Sequence, residues 1–346
     1  MSDDSPAEHE QPNPIVSDDD GDGFDLDDHA STSSLDSTTM KYREIHGRTF
    51  QSYSDANYWR PNDDKQNDVL DMGYHMMRLL HNDKLFFAPL HNPQRVLDVG
   101  TGTGIWAMDF ADEFPSASVI GIDLSPIQPH WVPPNASFQV MDASESWTFG
   151  ENTFDYIHPF FSYGAIADWP SLFRKAFNHL KPGGWIEHAD FSAEIEWERS
   201  CLPTDNILSL GNKFFRDAGR ITGKTSHPIE NQQNATWMKD VGFIKVHVKE
   251  YDVLIGQWPT NERLKEVGVW NLEICKMGME GYGLQLGTQI LGHTFEEIQV
   301  MCAEARETLK KPLFHTFYRG STAYAQKPAG RLTDAPRTQP APDGEA

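Results

Sequence analysis

The sequence predicts an α/β chain built on a doubly wound, mostly parallel seven-stranded sheet, with an antiparallel last strand and inserted helices. Three observations carry that expectation. Residues 95–123 run strand, glycine turn, helix, strand. Apolar strands then alternate with amphipathic segments down the remaining chain. Lys181-Pro182-Gly183-Gly184 stops a helix just before another strand, because neither Pro nor Gly continues it easily.

Taken in order, residues 1–40 hold twelve Asp/Glu and no Lys or Arg, and read as a disordered acidic tail. Within it, Asp18-Asp19-Asp20-Gly21-Asp22-Gly23 imitates the start of a calcium loop. Position 12 is His29 instead of a bidentate Glu, so no metal site is expected. The fold is expected over 41–327, followed by a disordered Pro-rich tail at 328–346. Asn62 or Asp63 can cap a helix to about His81, with Val69, Gly73, Met76 and Leu80 on one face. Strands are expected at 96–99, 118–122, 137–140, 154–158, 185–189, 243–248 and 315–325. Helices are expected at 105–114, 169–180, 204–221 and 235–241. A helical insertion spans about 258–312, with helices near 260–277 and 294–310. This order is summarised as β-α-β-α-β-α-β-α-β-α-β-β.

The formal net charge is −22, and without the first forty residues 29 basic face 39 acidic residues. No basic stripe is present, so a nucleic-acid partner is not expected. Cys201, Cys275 and Cys302 have neither zinc nor disulfide-framework spacing. No apolar run approaches the length of a membrane span, and the first residues do not resemble a signal peptide. The expectation is an intracellular protein, cytoplasmic, with the nucleus as the alternative.

The chemistry is concentrated in the β-α-β unit. Gly100, Gly102 and Gly104 permit positive φ and close approach to a ligand. The N–H groups opening the next helix suit an anionic group. Asp123, about twenty residues on, is placed to accept hydrogen bonds from ribose hydroxyls. The unit therefore points to a nucleoside. A dinucleotide fingerprint needs G-x-G-x-x-G, whereas the run here is Asp98-Val99-Gly100-Thr101-Gly102-Thr103-Gly104.

That form resembles motif I of the class I S-adenosylmethionine (SAM) methyltransferases, which have a Rossmann-like sheet. Leu180-Lys181-Pro182-Gly183-Gly184-Trp185 before a strand is a second feature of that class. The resemblance implies SAM as cofactor, the Asp98–Gly104 turn against its methionine part and Asp123 on its ribose. It also places Asp142 at the adenine amino group and the Ala143 N–H at a ring nitrogen. An N-terminal segment often lies over the cofactor in such enzymes, so Tyr53, Tyr58 and Trp59 either shield it, line a substrate pocket or pack in the core. His158 and His188, at strand ends, are the candidate catalytic bases, with a structural hydrogen-bonding role as the alternative. Phe160, Phe161, Tyr163 and Trp169 suit a flat apolar acceptor or simple packing.

Longer runs resemble a fungal subfamily related to a nuclear regulator of secondary metabolism. They include GRTF (47–50), PND (61–63), the stretch 96–135 ending SPIQPHWVPPN, NTFDYIH (152–158), LKPGGWIE (180–187) and GRITGK (219–224). The chain departs from that subfamily where an Arg-containing loop usually follows the Ile-His pair. Phe160 stands at the arginine's position. The resemblance implies methyl transfer to a small molecule of fungal secondary metabolism. The alternative is a regulatory methyltransferase-like protein acting through protein partners. An NAD-dependent oxidoreductase is the third reading, disfavoured by the glycine spacing.

Overall fold

The computed structural model describes residues 42–53, 58–198 and 202–330. The described chain enters through a hairpin, β1 (Arg43–Ile45) and β2 (Arg48–Phe50), which the sequence reading did not anticipate. His46 and Gly47 form its two-residue turn, both with positive φ (47° and 75°), the geometry that matches the twist of paired strands. Helix α1 (Asp64–Leu80) follows, capped by the Asp63 carboxylate, which accepts from the Gln66 N–H. Asp63 also pairs with Arg48 of the hairpin (Nη2–Oδ1 2.8 Å), so the cap ties hairpin to helix.

The sheet grows from β3 (Arg95–Val99), α2 (Ile105–Glu113) and β4 (Ser118–Asp123). Period-two alternation decides which side chains face which layer. Val96 and Val119 pack with Trp106, Ala107 and Phe110 beside α2. Leu97, Val99, Ile120 and Ile122 face the other layer. The Asn135 amide caps the far end of α2, donating to the carbonyls of Ala111, Phe114 and Ala117 (2.9–3.2 Å). Next come β5 (Ala136–Val140), β6 (Phe154–Pro159), α3 (Trp169–His179) and β7 (Leu180–Glu196). Then follow α4 (Ile207–Thr222), α5 (Gln233–Val241), β8 (Ile244–Leu254), α6 (Glu262–Gln285), α7 (Phe295–Leu309) and β9 (Phe317–Gln326).

The seven strands lie in the order β5-β4-β3-β6-β7-β9-β8. All pairs are parallel except those of β9, which runs antiparallel to both β7 and β8. The doubly wound sheet with its antiparallel last strand is thus as the sequence predicts. The summarised even alternation is not, although the separate element expectations hold no helix at 124–135 or 141–153 and these crossovers carry none. The first is the irregular loop expected where Pro126, Pro129, Pro133 and Pro134 remove backbone donors and fix φ. Lys181–Gly184 is not a turn before a strand but an irregular part of β7, with Gly183 at φ +83°. That strand runs seventeen residues because it pairs with β6 and with β9.

Helices α1, α4, α6 and α7 pack over the sheet's carboxyl edge, sharing apolar clusters that include Val69, Met76, Phe191, Ile274, Phe214 and Ile298. Among the described residues no helix is long and apolar enough to cross a membrane. No group of His, Cys, Asp and Glu there could hold a metal ion. The calcium-loop imitation at 18–29 lies outside the described residues, as do the whole of the tail expected at 1–40 and residues 331–346 of the tail expected at 328–346.

Candidate functional site

The turn after β3 is the left-handed bend the glycines promise, with φ of +75°, +58° and +82° at Gly100, Gly102 and Gly104. Their duties differ. A Cβ on Gly100 would meet only ordinary contacts, at 3.6 Å, so its backbone angle is what requires glycine. A Cβ on Gly104 would fall 2.5 Å from the Phe138 ring, and one on Gly121 would fall 2.6 Å from it. Gly104 therefore makes room for β5 packing as well as opening α2.

Asp98 anchors the turn from below. Its carboxylate accepts from the Thr101 hydroxyl (2.6 Å) and meets His158 Nδ1 at 3.0 Å, and both acid and imidazole are buried. Asp123, at the end of β4, accepts the Gly102 N–H (2.9 Å) on one oxygen and the Ser125 N–H (3.0 Å) on the other. Burial pushes its carboxyl up to about 6, against the pull of those N–H groups and that of Leu124. Each oxygen keeps a further lone pair for a ligand hydroxyl. Asp142 sits at the end of β5, with one oxygen on the Ser144 N–H (2.7 Å).

These groups border one crevice at the carboxyl ends of the strands, where ligands bind in open α/β sheets. Asp98, Gly100, Gly102, Asp123, Asp142 and Ala143 all line it; Gly104 stands just behind, between Thr103 and Ile105, which do. The crevice is roofed by the segment before α1, through Tyr58, Arg60 and Asn62. Asn62 donates to the Ser125 hydroxyl (3.1 Å), while its amide oxygen is buried without a partner. A buried carboxylate with lone pairs to spare, a bare-backbone turn and an orphaned buried amide oxygen together fit an adenosine-bearing ligand.

A second cavity adjoins the first and shares Arg60, Leu70 and Phe161 with it. Its remaining wall is almost wholly apolar or aromatic, including Met76, Phe191, Phe214, Ile274 and Tyr318. Phe160 and Phe161 stack at 3.7 Å between His158 (5.3 Å from Phe160) and Phe191 (4.8 Å from Phe161). Phe161 holds a left-handed φ of +50° without being glycine, a conformation that persists only where its surroundings impose it. Tyr163 faces the second cavity, Trp169 packs against Trp237 in the core, Trp59 is buried beside Tyr282, and Tyr53 lies exposed.

The two histidines are placed differently from the other predicted site residues. His158 lies beneath the crevice, its ring stacked 3.8 Å from Trp106. His188 is fully buried between Trp169 and Phe173, 3.3 Å from Asp190. Neither lines either cavity.

Sequence reasoning missed Arg60. The loop after β6 has Phe160 where the resemblance leads one to expect arginine, and the Arg60 guanidinium reaches the same loop from the N-terminal segment and donates to the Phe161 carbonyl (2.8 Å). The signal was an arginine between two aromatics and a proline (Tyr58-Trp59-Arg60-Pro61), which spacing alone does not distinguish from a surface residue.

Comparison with known proteins identifies the family. The family model described as a methyltransferase domain matches residues 60–248. Methyltransferase pytC of Aspergillus terreus is 36% identical over 321 residues, covering 92% of this chain and 98% of that protein. The secondary metabolism regulator laeA of Aspergillus fumigatus is 30% identical over 313 residues, covering 87% and 82%. The protein-methionine methyltransferase laeA of Emericella nidulans is 29% identical over 300 residues, covering 85% and 79%. With a family model spanning more than half its length and a 36% identical relative matched nearly end to end, the chain belongs to the methyltransferase-domain family.

Proposed function

We propose that this methyltransferase uses SAM to methylate a small, flat, apolar molecule of fungal secondary metabolism. The observation that carries the reading is the pair of adjoining cavities, one polar and nucleoside-like, the other apolar, meeting at Arg60, Leu70 and Phe161. Asp123 would hold the cofactor's ribose hydroxyls, Asp142 its adenine amino group and the Ala143 N–H a ring nitrogen, with the Gly100–Gly104 turn offering its bare backbone to the methionine part. When bound, the sulfonium supplies an electrophilic methyl group with its leaving group already built in.

The chain's own residues then have a modest task. They bring the acceptor in line with the methyl, and orientation of that kind lowers a barrier by several kcal/mol. Leu70, Phe161 and the apolar wall exclude water from the reacting pair. Asp98, braced by Thr101 and His158, keeps the turn in place.

Isothermal titration with S-adenosylhomocysteine (SAH) tests the cofactor half. Tight binding by the native chain and a loss of tenfold or more in Asp123→Ala are expected; unchanged affinity in the variant rejects the site. Metabolite profiling of a deletion strain tests the acceptor half, by a product lacking one methyl group. The identity to proteins named as secondary metabolism regulators favours a second reading, regulation through a protein partner. A stoichiometric partner in a pull-down, with no methyl-deficient product in the deletion strain, supports it.

A further inference from the structure

We propose that Arg60 receives an oxyanion of the methyl acceptor, so that the acceptor is a flat apolar compound carrying an acidic oxygen (a phenolate, enolate or carboxylate) and is bound already ionised. The inference rests on the reading of the apolar cavity as the acceptor site.

Among the described residues lining that cavity, Arg60 is the only charged side chain. It is 4% exposed, yet no carboxylate among the described residues forms an ion pair with it. One terminal nitrogen donates to the Phe161 carbonyl and lies 3.5 Å from the Tyr58 hydroxyl, while Nε is buried without any partner. Asp190 is near enough to be felt, but its oxygens are committed to the N–H groups of Ser162 (3.1 Å) and Phe191 (2.9 Å) and to His188. A buried cation with no carboxylate paired directly to it is costly, and the fold tolerates it most readily where a ligand completes the pairing.

The guanidinium is also held still. It lies over the rings of Trp59 (4.9 Å) and Tyr163 (4.4 Å), a cradle that fixes its position and offers no neutralising charge. The neighbouring hydroxyls of Tyr58, Tyr163 and Tyr282 are all raised by burial, so they stay neutral and do not serve as the missing anion.

Neither cavity has a histidine among its lining residues. A neutral hydroxyl would have to give its proton to some group during transfer, whereas an acceptor ionised in solution has already lost it. The balance is simple. The acceptor's oxygen pair forms the bond to the methyl carbon, the carbon–sulfur bond breaks, and its electron pair stays on sulfur. The anion becomes a neutral ether or ester, which no longer pairs with Arg60 and is free to leave.

The test uses the full chain with SAH present and two probes, 7-hydroxycoumarin and 7-methoxycoumarin, at pH 8. Native protein should bind the ionisable coumarin at least tenfold more tightly than its methyl ether. It should also move the probe's absorbance titration to lower pH than in free solution. Arg60→Met should erase both effects, and Arg60→Lys should keep part of each. Equal binding of the two coumarins by native protein, or a preference that survives in Arg60→Met, overturns the proposal without reference to any variant's folding in the first case. A second arm compares SAH with 5′-methylthioadenosine, which lacks the amino-acid portion. If Arg60→Met weakens SAH tenfold and leaves methylthioadenosine unaffected, the cation serves the cofactor's carboxylate and the proposal falls. Failure of native protein to bind SAH at all rejects the methyltransferase site itself, which is a different result from SAH binding without coumarin preference.

Discussion

His158 Nδ1 lies 3.0 Å from Asp98 Oδ1, and both groups are almost wholly removed from solvent under the glycine turn. The acid's other oxygen takes the Thr101 hydroxyl at 2.6 Å. Through this chain the imidazole positions the turn from a place that faces neither cavity. Replacing it by phenylalanine keeps a ring between Trp106 and Phe160 but strands one carboxylate oxygen. An unmet buried acceptor costs about 1–3 kcal/mol. His158→Phe should therefore lower thermal stability and weaken SAH roughly tenfold, a change worth about 1.4 kcal/mol. As a positioning residue, it should leave the pH dependence of turnover unshifted. A lost ionisation in that profile would show instead that the imidazole exchanges protons with the reaction.

Asp123 gives the site a pH dependence of its own. Burial raises its carboxyl to about 6, so the folded chain holds this proton more tightly than the unfolded chain does. Its contribution to stability is therefore greatest at low pH and is lost as pH rises through about 6. Ribose hydroxyls donate best to the ionised form, so ligand affinity runs the opposite way. SAH binding, followed by titration between pH 5 and 8, should weaken as pH falls through 6. Asp123→Asn should be weaker throughout and nearly flat over that range. A profile in the variant that still bends near 6 would assign the effect to another group.

How much of this was legible beforehand differs from element to element. Val96, Leu97, Val99 and their partners announce a strand buried on both faces, because every position from Val96 to Val99 is apolar except Asp98, and that acid is the one held by Thr101 and His158. The cofactor-type crevice was legible for the same reason, since Gly100, Gly102 and Asp123 are tied together within one local β-α-β unit. The hairpin was not, because His46-Gly47 lacks the Asn or Asp that usually marks such a turn. Nor was the role of Arg60, which meets Phe161 a hundred residues away in sequence. Local pattern carries no record of which distant loop a side chain will meet. The long β7 escaped notice because Pro182 and Gly183 read as a stop, while pairing with β9 carries the strand on to Glu196.

The seat of α6 on the sheet depends on two glycines. Gly268 lies against Gly256 so closely that a Cβ there would stand 2.0 Å from the Gly256 carbonyl oxygen, and the Gly256 N–H donates to the Gly268 carbonyl at 2.8 Å. Neither backbone has room to yield. Gly268→Ala should cost about 3 kcal/mol or more, at the upper end for overpacking, and lower the melting temperature by several degrees. Gly211 in α4 is the control, because a Cβ there meets nothing within 4 Å. Gly211→Ala should gain about 0.5–1 kcal/mol by restricting the unfolded chain. Equal effects in the two variants would remove the steric account.

Cys275 and Cys302 should be silent thiols. Burial pushes Cys275 up to about 12 and Cys302 up to about 11, the latter against the opposing field of Arg306. Thiolate is the reactive form, so at pH 8 only a small fraction of either thiol is ionised. Both thiols line the apolar cavity, which gives a reagent a route to each. Treatment with iodoacetamide followed by peptide mass mapping should find both unmodified in the folded chain and both alkylated once urea is added. Raising the pH to 9 should change little, since it remains below both values. If Cys275 reacts in the native state, occupation of the apolar cavity by a tight ligand should protect it. Modification that persists despite such a ligand would mean the thiol is reached by another route and the wall around it opens.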